Sequence, residues 1–203
     1  MTDSKKIVGP WTVHSQTEVF DNPWIRILDH DVTHPDGSPG KYGVVKFKNL
    51  AVGVLPIDQE GFVHLVGQHR FPLDRYSWEL PEGGGPIDID PLASAKRELQ
   101  EETGFIAREW TQLSAFDISN SVTDERAVCY LAWDLESGEA APEPSESLTL
   151  KRVSFKDLLD MVMAGEITDS LTIVMTLTAF AKALRGETPD PISRHILAGH
   201  RGK

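Results

Sequence analysis

The sequence predicts an α/β fold, and three observations carry that prediction. Its first half alternates apolar and polar residues in short runs broken by turn residues, a short helix in the middle is bounded at both ends, and two further helical patterns follow near the end. The 203 residues are enough to bury a sizeable core in one domain with an appended N-terminal subdomain.

Residues 1 to 9 read as a loosely tied start. Trp11 to Phe20 and Trp24 to Val32 then alternate as two strands around the turn Asp21-Asn22-Pro23. His34-Pro35-Asp36-Gly37-Ser38-Pro39-Gly40 is a hairpin loop in composition. Tyr42 to Phe47, Ala51 to Ile57 and Phe62 to Arg70 continue the strand pattern, the last two separated by the turn Asp58-Gln59-Glu60-Gly61. Trp78-Glu79-Leu80-Pro81 reads as a strand end, followed by a glycine-rich loop at Gly83-Gly84-Gly85.

The next helix is predicted over 91 to 103. Asp90 is a favourable N-cap, Pro91 suits the first helical position, and Gly104 supplies the left-handed residue that ends the helix. At about 3.6 residues per turn, Glu98, Glu101 and Glu102 project from one face, beside an apolar stripe of Leu92, Ala95 and Leu99. Crowded carboxylates raise one another's pKa unless cations neutralise them or they splay into water. Hard divalent cations with oxygen ligands are one answer, and a solvated helix face is the other. Solvation leaves the three glycines, the preceding Trp-Glu-Leu-Pro and the adjacent Arg97 without explanation.

Beyond the helix, Glu109 to Phe116 and Ala127 to Leu135 read as strands joined by a polar loop, residues 117 to 126. Residues 136 to 147 are polar and proline-containing and read as a loop, followed by a strand from Leu148 to Val153. Ser154 caps a helix over about 155 to 164, closed by Gly165, and Asp169 caps another over about 170 to 185, closed by Gly186. The tail from Glu187 carries Pro189 and Pro191 and a small basic cluster at Arg194, His195, His200 and Arg201, and reads as a frayed terminus.

Arg97-Glu98-Leu99-Gln100-Glu101-Glu102-Thr103-Gly104-Phe105, with Gly83 in the opening glycine position, resembles the signature box of the Nudix hydrolases. The resemblance implies an α/β/α sandwich around a mixed sheet and metal-dependent cleavage of nucleoside diphosphates linked to another group. It divides the chain into an N-terminal antiparallel strand extension (1 to 48), a Nudix hydrolase domain (49 to 186) and a C-terminal tail (187 to 203). It assigns Glu98, Glu101 and Glu102, with the backbone carbonyl of Glu82, to Mg²⁺ or Mn²⁺. Gly83, Arg97 and Gly104 form the structural frame of the box.

Gln68-His69-Arg70 resembles a segment that precedes the box in the branch acting on ADP-ribose, where the arginine contacts substrate. A guanidinium can clamp a diphosphate in bidentate fashion, which makes Arg70 the candidate and Glu79 a second substrate or metal-water contact. Glu146 is the candidate base, with Glu143 in reserve. In the same branch the N-terminal strands pair across a homodimer, whereas a monomer with a plain edge hairpin is the alternative.

There are two departures. The box has a glutamate eight residues before the arginine, where this chain has Ile89 flanked by Asp88 and Asp90, either of which could substitute as the partner of Arg97. The loop that carries Ser-Pro-Gly in the ADP-ribose branch is Ser119-Asn120-Ser121 here, followed by Asp124-Glu125-Arg126.

Composition excludes several classes. Acidic residues number 31 against 20 basic, a formal charge of −11, which argues against nucleic acid or an anionic membrane as partner and fits an acidic site screened by Mg²⁺. Cys129 is the only cysteine, so an intrachain disulfide is excluded and a cytoplasmic setting is expected. No apolar run approaches a membrane span, and the seven histidines, His30 and His34 included, form no metal-ligand spacing. The expected activity is hydrolysis of a nucleoside diphosphate sugar, ADP-ribose to AMP and ribose 5-phosphate. The alternatives are a related enzyme acting on NADH, a diadenosine polyphosphate or coenzyme A, and a nucleotide-sugar binding module without turnover.

Overall fold

The computed structural model describes residues 6 to 140 and 147 to 199. Its strands are β1 (Lys6–Val8), β2 (Trp11–Asp21), β3 (Ile25–Thr33), β4 (Pro39–Phe47), β5 (Asn49–Pro56), β6 (Phe62–Arg70), β7 (Arg75–Glu79), β8 (Glu82–Pro86), β9 (Phe105–Asp117), β10 (Arg126–Ser137) and β11 (Thr149–Ser154). Its helices are α1 (Pro91–Thr103), α2 (Phe155–Met163), α3 (Ser170–Leu184) and α4 (Asp190–Ile196). No helix among the described residues is long and apolar enough to cross a membrane.

The chain forms two compact units: residues up to Leu50 with Asp117–Arg126, and Ala51–Phe116 with Ala127 onward. The first unit is an antiparallel sheet in the order β1-β2-β3-β4. Lys6 to Val8, within the stretch read as a loosely tied start, pair with Val13 to Trp11, and residues 1 to 5 lie outside the described residues. The loop containing Ser119-Asn120-Ser121 belongs to this unit. Asp124 accepts from the Lys46 ammonium at 2.7 Å and the Phe47 N–H at 2.9 Å, and the Tyr42 hydroxyl donates to the Ser121 carbonyl at 2.6 Å.

The second unit contains the mixed sheet β8-β5-β10-β9, in which β10 runs parallel to β5, and the antiparallel sheet β11-β6-β7. α1 lays Ala95 and Leu99 on Val52, Val54, Ala107, Tyr130, Ala132 and Leu135, which is the core that fixes the helix. The glycine-rich stretch is a strand and not the expected loop. Glycine has little intrinsic strand preference, and pairing with β5 supplies the order that local sequence does not.

α1 begins and ends where its caps place it. The Asp90 carboxylate accepts the Leu92 N–H at 3.1 Å, and Gly104 takes φ 75°, a left-handed conformation costly for other residues. Ser154 and Asp169 cap α2 and α3 through the Asp157 and Thr172 N–H groups. Up to residue 199 the tail departs from the frayed end expected of it, and residues 200 to 203, with His200 and Arg201, lie outside the described residues. Pro191 lies in the first turn of α4, where its missing N–H costs nothing, and Ile192 and Ile196 are buried one turn apart.

At the β5–β6 turn, the Asp58 carboxylate accepts from the N–H groups of Glu60 and Phe62, from His64 at 3.1 Å and from Arg152 at 2.8 Å. His64 lies against the Phe105 ring at 4.5 Å between centroids. Burial lowers the His64 pKa, and the opposing pull of Asp58 does not reverse this. The folded state therefore binds this proton less well than the unfolded chain, and the stabilising contribution is lost as pH falls below 6.5. An NMR titration of the ring should give a midpoint below 6.5, and a midpoint above that value would contradict the burial argument.

Candidate active site

The acidic face of α1 does not splay into water. Glu98 is 8% exposed and Glu102 3%, values that a solvated helix face would not give. The strand end explains where these carboxylates go. The Glu82 N–H donates to Glu102 Oε2 at 3.0 Å, and a Cβ at Gly83 would lie 2.3 Å from the Glu98 carboxyl carbon. Only glycine leaves Glu98 room at that point, which gives the opening glycine of the box a steric reason.

Arg97 holds the acids from the solvent side. It donates to Glu98 Oε1 at 2.6 Å, to Glu101 Oε2 at 2.5 Å and to the Gly84 carbonyl at 2.9 Å. Its partners are therefore neighbours on its own helix and the glycine strand. Asp90, one of the two candidates to replace the absent glutamate, caps α1. Glu101 is the most exposed of the three box acids and is tied to Arg97.

Glu82 also belongs to a second acidic group. Ligand-capable oxygens of Glu79, Glu82 and Asp169 lie within 4.8 Å of one another. Arg70 enters this group from β6, donating to Glu79 through three contacts at 2.6, 3.0 and 3.1 Å and to Glu82 at 3.0 Å. Burial would lower the Arg70 pKa, but the Glu79 carboxylate overcomes it and holds the guanidinium firmly charged. Glu82 Oε2 is buried without a hydrogen-bond partner. Burial, and then the charges of Asp169 and Glu79, push the Glu82 carboxyl well above the usual carboxylate range. A cavity of about 280 Å³ lies elsewhere, on the β2–β4 sheet, whereas the acidic group lines one of about 420 Å³ with Pro72, Leu73, Ser77 and Thr168.

An unpartnered, buried carboxylate oxygen beside two more acids, with Glu98 and Glu102 behind the same strand end, is an oxygen-rich donor set. It fits a hard divalent cation and offers no sulfur or imidazole to a softer one. Asp169 was legible from sequence only as a helix cap, and Glu82 only through its carbonyl. Glu146 and Glu143 lie outside the described residues.

Comparison with known proteins agrees with this architecture. The NUDIX domain profile matches residues 47–170, and the profile of the nucleoside diphosphate sugar hydrolase N-terminal domain matches residues 11–45. The chain is 33% identical over 160 residues to an ADP-ribose pyrophosphatase of Bacillus subtilis, covering 78% of this chain and 86% of that protein. It is 27% identical over 199 residues to an ADP-sugar pyrophosphatase of Mus musculus, covering 90% and 91%. A solved ADP compounds hydrolase superposes with a TM-score of 0.79 at 18% identity, over 90% of this chain and 100% of that one, which bears on the fold. With the box carboxylates buried against their glycine and the NUDIX domain matched over more than half of the chain, the chain belongs to the Nudix hydrolase family.

Proposed function

We propose that the protein is a Mg²⁺-dependent pyrophosphohydrolase of nucleoside diphosphate sugars, with ADP-ribose as the preferred substrate and AMP and ribose 5-phosphate as products. The observation that carries this reading is the burial of Glu98 and Glu102 against residues 82 and 83. A chain with no use for a cation gains nothing from enclosing two carboxylates there. Relatives named as ADP-ribose and ADP-sugar pyrophosphatases support the choice of substrate.

In this reading Glu98, Glu102 and the Glu82 carbonyl would hold the cation, Glu101 would be a further ligand or a metal-water contact, and Mn²⁺ would substitute for Mg²⁺. When bound, the cation neutralises the diphosphate and lowers the pKa of the attacking water. Water adds its oxygen to one phosphorus while the bridging P–O bond breaks, so each product carries one phosphate. Arg97 keeps Glu98 and Glu101 from turning away, and Arg70 lies at the acidic cavity, with Glu79 fixing its orientation. Glu146 serves as the base. The division into residues 1 to 48, 49 to 186 and 187 to 203, the homodimer built on the N-terminal strands, and the cytoplasmic location belong to the same proposal.

The test is a panel of ADP-ribose, other sugar nucleotides, NADH, coenzyme A and diadenosine polyphosphates with Mg²⁺, with products identified by mass. AMP and ribose 5-phosphate from ADP-ribose are expected, at higher kcat/KM than any other cleavage. If a sugar nucleotide raises Tm and no compound turns over, the protein is a binding module instead.

A further inference from the structure

We propose that Thr172, at the start of α3, is a positioning residue for the cation site on α1, acting through the strand end it holds. The proposal rests on the reading of Glu98, Glu102 and residue 82 as that site.

The connection is a short series of hydrogen bonds with little slack. Thr172 is fully buried, and its Oγ1 accepts the N–H of Leu80, which is also fully buried, at 2.8 Å. Pro81 follows, with φ fixed by its ring, and its carbonyl accepts the Val54 N–H of β5 at 2.9 Å. Glu82 comes next, and its N–H donates to Glu102 at 3.0 Å. Residues 80, 81 and 82 are thus gripped in turn by α3, β5 and α1. The grip on α3 is itself fixed, because the Thr172 N–H donates to the Asp169 carboxylate at 2.7 Å.

Without the hydroxyl, the Leu80 N–H has no acceptor in a site closed to water, and the strand end shifts to find one. With a proline between, the shift is passed on to the Glu82 N–H and so to the rotamer of Glu102. Position 172 therefore governs the Glu102 carboxylate through residues 80 to 82. A threonine that merely satisfied a buried amide would affect stability alone.

Thr176 provides the matched control. It lies one turn along the same helix, is equally buried, and its hydroxyl donates to the Thr172 carbonyl at 2.7 Å. The experiment compares the full-length wild type with Thr172→Val, Thr172→Ser and Thr176→Val by amide hydrogen exchange, Mn²⁺ binding followed by electron paramagnetic resonance, and steady-state kinetics. Thr172→Val should speed exchange at Leu80 and Glu82 by about tenfold or more and weaken Mn²⁺ binding by a similar factor. It should lower kcat with little change in KM for the nucleotide sugar. Thr172→Ser should behave as wild type, and Thr176→Val should lower Tm without these changes.

The proposal is overturned if the two valine variants act alike, if Glu82 keeps its protection in Thr172→Val, or if Mn²⁺ binding there equals that of wild type. Should wild type cleave none of the panel yet show the Mn²⁺ and exchange effects, the catalytic reading fails and the positioning role stands. Should wild type bind no Mn²⁺, both fail.

Discussion

Glu102→Gln is expected to lower the rate of diphosphate cleavage by about 10²–10³-fold while leaving the fold intact, since electrostatic stabilisation dominates such chemistry. The side chain is 3% exposed, and its Oε2 accepts the Glu82 N–H. Glutamine has nearly the same volume, and its amide oxygen can accept that bond, so packing and Tm should change little. What disappears is a buried negative charge held against the Glu82 N–H. Glu101→Gln makes the informative comparison, because Glu101 is more exposed and its visible role is to pair with Arg97. Its effect should be smaller and should fall mainly on cation affinity. The measurement is AMP release from ADP-ribose at saturating Mg²⁺, with Tm recorded alongside. A Glu102→Gln rate within about threefold of wild type would show that the buried box acid does not hold the catalytic cation.

The parts of this site differ in how far the sequence discloses them, and the difference follows the range of the interactions. α1 is legible to the residue because each signal is local: Asp90 accepts from Leu92, Pro91 follows it, and Gly104 turns left-handed. The spacing of Glu98 and Glu102 is local too, and it leaves two outcomes open, burial or solvation. Burial is decided by Gly83, whose missing side chain matters only once the strand end lies on α1. The strand character of Glu82–Pro86 is hidden for the same reason, since its order comes from a partner strand. Asp169 is the clearest case. Its capping role is readable from the residues that follow it, while its approach to Glu79 and Glu82 depends on where α3 packs. One signal was available in Thr172, a polar residue among the apolar positions of α3, which marks a buried backbone group in need of a partner. The short α4 lies in the tail read as frayed, although Pro191 there suits the first turn of a helix.

Arg70→Ala should destabilise the protein by about 3 kcal/mol at neutral pH, the lower end for breaking a buried ion pair. The lower end applies because the Arg70 side chain is 35% exposed and water screens its charge, whereas the Glu79 side chain is only 3% exposed. The loss arises less from the pair itself than from what remains: Glu79 buried beside Glu82 and Asp169 with no cation to answer it. Two consequences separate this account from simple loss of packing. Arg70→Lys should recover only part of the stability, since an ammonium cannot reproduce the paired contacts to Glu79 and the reach to Glu82. Adding Glu79→Gln to Arg70→Ala should restore stability, because it removes the stranded charge. Urea unfolding midpoints of the four proteins at neutral pH measure both. If Arg70→Ala matches wild type, Glu79 is not a buried partner that depends on the guanidinium, and the orientation of Arg70 toward a diphosphate must come from elsewhere.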